Sequence, residues 1–184
     1  MRLVATEYLS LDGVFEEPGQ WSNPWFNDQA GQFKYAELQA TEALLLGRKT
    51  YEGFAAAWPK MEEATGDFGV RMNTMTKYVV SSTLDRAEWP GSKLVKGDVA
   101  AEIARLKKQP GKDLLLSGSG QLFNALMRED LIDLYRIMLF PVVLGKGRRL
   151  FEEKADQRIL GVPETKTFAS GVVILEYQPK ATKG

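Results

Sequence analysis

Four short apolar runs constrain this chain most. Residues 3–9, the stretch Ala43-Leu44-Leu45-Leu46 with its close at Gly47, residues 77–81 (KYVVS) and residues 113–117 (DLLLS) are each about strand length and rich in branched or aromatic side chains. The later three run into Gly or hydroxyl residues, and helical patterns lie between the runs. Strands that alternate with helices predict an α/β fold with a mostly parallel sheet.

The expected helices cover residues 27–44, with Phe33, Ala36, Ala40 and Ala43 as the inward stripe, and residues 50–58, closed by Pro59. Further ones cover 99–108, with Val99, Ile103 and Leu106 on one face and Pro110-Gly111 as the stop, and 121–128. Residues 16–24 hold Pro, Gly, Ser and Asn and read as a loop. Residues 61–74 form a polar connector, helical in its latter part. Leu94-Val95 is a shorter strand candidate. Residues 134–143 are apolar and β-rich, residues 145–151 form a basic turn, and residues 166–177 suit a hairpin with its tip at Ser170-Gly171. Short connections among these last strands predict antiparallel pairing at the C-terminal edge. No internal repeat or linker interrupts the chain, so one domain over residues 1–184 is expected.

Composition narrows the chemistry. There is no Cys and no His among the 184 residues. Thiolate sites, disulfides, His-based metal centres and a Ser-His-Asp triad are therefore excluded, and no metal is expected. Lys+Arg and Asp+Glu balance at 24 each, which gives no electrostatic reason for nucleic acid or an anionic membrane as partner. The start lacks a basic, then apolar, leader pattern, and no apolar run approaches the ~20 residues of a membrane span. The expected setting is cytoplasmic, with a small molecule as partner and the apolar C-terminal strands as a candidate homodimer interface.

Ligands of open α/β sheets collect outside the carboxyl ends of strands. Leu46-Gly47-Arg48-Lys49-Thr50 passes from a strand into a helix start and brings two cations there, where an anion would relieve their conflict with the helix dipole. Ser117-Gly118-Ser119-Gly120-Gln121-Leu122 also joins strand to helix, and its glycines let backbone approach a phosphate closely. Ser81 and Ser82 follow a third strand and could bind a ligand or cap the next turn. Together these segments suit a ligand with more than one phosphate; a dinucleotide fits better than a nucleoside triphosphate, for which there is no GxxxxGK[ST] loop.

Strand-GRKTYE, strand-SST and strand-GSGQLF, in that order, resemble the cofactor site of the dihydrofolate reductase superfamily. Ser10-Leu11-Asp12-Gly13 and the segment from Phe140 to Phe151 (FPVVLGKGRRLF) are similar to its riboflavin-biosynthesis branch, the RibD C-terminal domain family. The resemblance implies a three-layer α/β/α sandwich. It also implies an NADPH-dependent reductase acting on a pterin-like or pyrimidine-like (5-amino-6-ribosylaminouracil type) compound. Residues 46–50 and 117–122 would hold the cofactor, with its 2′-phosphate near Arg48 and Ser81 or Ser82. Dihydrofolate reductases carry an acidic residue on the helix before the GRKT-type motif; here that place falls near Gly31, and Asp28 is the nearest acid. Asp12 and Asp28 are the candidate catalytic carboxylates, and Asp12 also reads as a turn former before Gly13. Trp21, Trp25 and Phe26 either wall a flat substrate or cover the core. The alternative reading is a nucleotide-binding or ligand-sequestering protein without turnover.

Overall fold

A computed structural model describes residues 1–151, 157–161 and 164–180. Among these residues, eight strands form one sheet: β1 (Leu3–Ser10), β2 (Thr41–Gly47), β3 (Thr76–Val80), β4 (Ser92–Val95), β5 (Asp113–Ser117), β6 (Leu134–Phe140), β7 (Glu164–Thr167) and β8 (Val173–Tyr177). Their order is β4-β3-β2-β5-β1-β6-β8-β7. The first six in that order run parallel, and β8 pairs antiparallel with both β6 and β7. The mixed sheet with an antiparallel C-terminal edge is as expected.

Among the described residues, six helices complete the layers: α1 (Pro18–Trp21), α2 (Asp28–Gln39), α3 (Arg48–Thr65), α4 (Asp67–Thr74), α5 (Val99–Lys107) and α6 (Gly120–Arg128), with a 3-10 turn at Asn23–Trp25. Side chains alternate across the sheet. Leu3, Ala5 and Leu9 of β1 pack with Ile103 and Leu106 of α5 and with Phe123 and Leu126 of α6. Val4, Leu44, Leu46 and Leu115 pack on the other face with Leu38 of α2, Tyr51 of α3 and Met72 of α4. The strands buried on both faces are the near-continuous apolar runs, as a parallel sheet requires.

Three boundaries differ from expectation. The 27–44 helix stops at Gln39, because Thr41 already enters β2 and Thr41 Oγ1 donates to Glu37 O at 2.8 Å. Its expected stripe is also wrong: Ala36 and Ala40 are exposed, while Ala30, Glu37 and Leu38 are buried. Asn27 caps the start by accepting from Ala30 N at 3.1 Å. The helix expected to close at Pro59 runs through it. Pro59 lies exposed, so the carbonyl it deprives of a donor can turn to water. The expected 16–24 loop contains the short α1 and the 3-10 turn. The C-terminal hairpin turns where expected, with Gly171 at φ 87° and Phe168 N donating to Val172 O.

Lys77 of β3 is fully buried and donates to the carbonyls of Asn73, Met75 and Pro90 at 3.1, 2.8 and 2.9 Å. Its ammonium lies 4.1 Å from the Trp89 ring centroid. Burial pushes this amine down to about 8. It ties the end of α4 to β3 and β4, away from the site described next.

Candidate functional site

Two helix starts meet at the carboxyl edge of the sheet. β2 and β5 are parallel neighbours, so the turns after them emerge side by side. Gly47 precedes α3 in extended conformation, and Ser119 precedes α6 in the left-handed region at φ 64°. Gly47 N donates to Ser119 Oγ at 2.8 Å, and Ser119 Oγ lies 2.9 Å from Thr50 Oγ1. A Cβ on Gly118, itself at φ 59°, would sit 3.1 Å from Thr50 side-chain atoms. Neither helix start carries a side-chain cap bond. Two uncapped N-termini held side by side favour an anion at them.

The structure thus brings residues 47–50 and 117–120 together. Leu46 and Leu122 are buried in the two cores, so only their backbone can reach a ligand, while Lys49 and Gln121 are exposed. Arg48 begins α3 and pairs with Glu52 at 3.0 Å. Val80 pairs in register with Gly47, so Ser81 follows β3 at the same edge of the sheet at which Arg48 follows β2. Ser81 Oγ accepts from Thr83 N and Leu84 N at 3.2 and 3.0 Å, so it caps its own turn; Ser82 is exposed. Gly120 does not have a positive φ. Its missing Cβ leaves room for Phe15, whose ring would come within 2.3 Å of one. The loop after β1 therefore lies directly on the start of α6.

Asp12 lies just after the end of β1, held by three hydrogen bonds. Ser10 Oγ donates to it at 2.7 Å, and the Leu144 and Gly145 N–H groups do so at 3.1 and 2.9 Å. The Ser10 hydroxyl, then these amides, pull its carboxyl down to about 2. It is an ionised clamp between the end of β1 and the segment before the basic turn. Arg149 Nε donates to Asp12 O at 2.9 Å, and Arg148 pairs with Glu16 at 2.8 Å, so that turn is strapped to the same loop. Asp28 is exposed in the first turn of α2.

The carboxylate that α2 sends inward is Glu37, which sequence reasoning does not single out. Glu37 accepts from Lys34 and, at 3.0 Å, from Arg136 of β6, which also pairs with Glu176 of β8. Lys34 Nζ further donates to Thr6 Oγ1 at 3.3 Å and lies 5.4 Å from the Tyr8 ring centroid. Burial alone would push the Glu37 carboxyl up, but Lys34 and Arg136 outweigh it and hold it below its ordinary value. The available signal is the polarity of α2, which lacks an apolar stripe wide enough to face a core.

Aromatic side chains stand over this cluster. Tyr8 lies 6.3 Å from Phe26 and 5.3 Å from Phe140, and Trp21 meets Phe140 edge-on at 5.4 Å. Trp21 Nε1 donates to Glu16 O at 2.9 Å. Trp21 and Trp25 pack against Met138, Phe140 and Phe168, so both cover a core, and Phe26 stays exposed. Trp58, by contrast, packs on Phe54 and Phe68, away from this wall.

Glu7 is a second residue that sequence reasoning misses. It shares the sheet face of Ala5 and Leu9, is buried, and its Oε1 has no hydrogen-bond partner. Burial pushes its carboxyl well above the ordinary range. The signal is one acid inside an otherwise strand-like run, LVATEYLS. No group of three or more acidic side chains among the described residues is placed to hold a metal ion, and none of their helices is long and apolar enough to cross a membrane.

Order and direction of strands, with helices on both faces, define a dihydrofolate-reductase-like fold. The chain belongs to the RibD C-terminal domain family, whose model matches residues 2–174. Two uncharacterized proteins of Bacillus subtilis (strain 168) are similar in sequence. YyaP is 31% identical over 142 residues, covering 76% of this chain and 75% of its own. YwjB is 30% identical over 168 residues, covering 89% and 90%. Among solved structures, a putative riboflavin biosynthesis protein from Shewanella sp. PV-4 superposes with a TM-score of 0.76 at 22% identity, covering 98% of this chain and 99% of the other. The dihydrofolate reductase of Enterococcus faecalis, complexed with NADP(H) and RAB-propyl, gives 0.62 at 16% identity, covering 97% and 96%. At such identities these two likenesses speak for the fold.

Proposed function

We propose that this protein is an NADPH-dependent reductase of a small planar substrate, pterin-like or pyrimidine-like. The observation that carries the reading is the contact of Gly47 N with Ser119 Oγ, which joins two uncapped helix starts beside Arg48 and Lys49. A ligand with several phosphates answers that arrangement, and the NADP(H) complex of a fold neighbour agrees with it. The first-turn N–H groups of α3 and α6 would hold the pyrophosphate, and Arg48, with Ser82 nearby, the 2′-phosphate. When bound, the cofactor supplies the hydride. The chain supplies orientation and exclusion of water: Phe26 and Tyr8 would wall the substrate, backed by Trp21 and Trp25, which also cover the core. Asp12 serves this reading as the clamp that holds the basic turn, since a carboxyl with a pKa of about 2 has no proton to give near neutrality.

The test is a titration with NADPH followed by tryptophan fluorescence, then NADPH oxidation in the near ultraviolet against a pterin and pyrimidine panel. Saturable binding with oxidation on one member supports the reading. Absence of NADPH binding overturns it, and binding without turnover across the panel favours a ligand-sequestering protein.

A further inference from the structure

We propose that Lys34 sets substrate choice, its ammonium selecting flat ligands that present an anionic or carbonyl oxygen beside Tyr8 and rejecting cationic ones. This rests on the reading of the Tyr8–Phe26 wall as the substrate side of a reductase.

The charges in the cluster do not cancel evenly in space. Arg136 is bound by two carboxylates, Glu37 and Glu176. Lys34 has only Glu37, which it shares. Glu176 is on β8, two strands from β1, behind Arg136. Positive potential is therefore left at Lys34, next to Tyr8. Accessibility points the same way: the Glu37 side chain is 1% exposed, against 14% for Lys34. A ligand beside Tyr8 meets the cation and not the acid.

Hydrogen-bond capacity agrees. An ammonium has three protons. Glu37 and Thr6 take two, and among the described residues no acceptor takes the third. Thr6 Oγ1 accepts from Lys34, which leaves its own proton free to point elsewhere. Both groups thus offer donors. Burial would lower the lysine, but Glu37 and Tyr8 more than offset it, so the amine stays charged. The rings of Tyr8 and of the exposed Phe26 supply flat apolar surface for the rest of the ligand. A carboxylate-anchored site would prefer an amidinium edge; here the acid on α2 is spent internally.

The experiment uses a matched pair of flat probes, benzoate and benzamidinium, on the whole protein, with and without saturating NADPH, read by calorimetry. Benzoate is expected to bind at least about tenfold more tightly, the lower end for a charge-assisted hydrogen bond. Lys34→Met should abolish that preference, and Lys34→Arg should keep part of it. Equal or tighter binding of benzamidinium overturns the proposal, as does no benzoate binding, or an unchanged preference in a folded Lys34→Met. The wild-type comparison stands even where Lys34→Met fails to fold. NADPH binding without benzoate preference overturns Lys34 and spares the reductase reading. Benzoate preference without NADPH binding does the reverse.

Discussion

Gly47 and Ser119, 72 residues apart in sequence, share one hydrogen bond of 2.8 Å from the Gly47 N–H to the Ser119 hydroxyl. The same hydroxyl reaches Thr50 at 2.9 Å, so a single oxygen couples the start of α3 to the turn before α6. Ser119→Ala leaves the Gly47 N–H without its acceptor in a half-buried place. It should cost about 1 kcal/mol in urea unfolding, the lower end for a lost partner. It should also weaken NADPH binding, because the two helix starts are no longer held at one spacing. Unchanged stability and unchanged affinity together would mean that strand pairing alone fixes that spacing.

This pair shows what is legible in the sequence. Small and hydroxyl residues directly after apolar runs mark strand ends, and parallel order then brings such ends to one edge, so sequence alone groups residues 47–50 with 117–120. The inward face of α2 is not legible in this way. Lys34 and Glu37 look like solvated helix charges until Arg136, 99 residues beyond Glu37, arrives from β6 to pair with Glu37. Burial of a charge depends on a partner that local periodicity does not contain. The clamping of Asp12 is hidden for a related reason, since its amide donors Leu144 and Gly145 come from a distant segment.

Gly120 makes room for Phe15, and this gives a paired test. Gly120→Ala places a Cβ within 2.3 Å of the Phe15 ring and should displace the loop after β1. Overpacking of this kind costs roughly 1–3 kcal/mol. Phe15→Ala in the same chain should recover part of that cost, a coupling readable from a double-mutant cycle in urea. Additive effects of the two changes would show that the ring and the missing Cβ do not meet.

Glu7 predicts a pH signature in stability. Its folded carboxyl is held neutral well above the ordinary value of 4.5. Below that value both states carry the proton, and no ionisation penalty applies. As pH rises through it, the unfolded chain ionises and the folded one does not, so folding loses stability until the raised folded pKa is passed. Glu7→Leu should remove this penalty and the unpartnered oxygen, raising stability by about 1–3 kcal/mol at pH 7. The advantage should shrink toward pH 4, measured by urea midpoints across that range. A gap that stays constant with pH would mean that the two states of Glu7 titrate alike.

On the proposed reading, Arg48 and Glu52 would set how strongly NADPH is preferred over NADH. The two cofactors differ by one phosphate, which a guanidinium can grip with two N–H groups. Such a bond is worth roughly 1.5–3 kcal/mol, a factor of about 10 to 150 in affinity. Here one nitrogen of the fork is already engaged: Arg48 Nη1 donates to both oxygens of Glu52, at 3.0 and 3.1 Å. The pair is about half exposed, and an exposed pair at this helix spacing contributes only about 0.3–0.5 kcal/mol. A phosphate can therefore displace Glu52, with a small loss from the gross gain. Arg48→Ala should weaken NADPH by about tenfold, the lower end of that range, and leave NADH nearly unchanged. Glu52→Gln should tighten NADPH by about twofold, since it frees the guanidinium and removes a carboxylate from beside the phosphate. Dissociation constants of both cofactors for the wild type and both variants, at low and at higher salt, give the readout. Equal losses of NADPH and NADH in Arg48→Ala would move Arg48 to a phosphate common to both. A wild type that prefers NADH would remove the 2′-phosphate from this corner of the site.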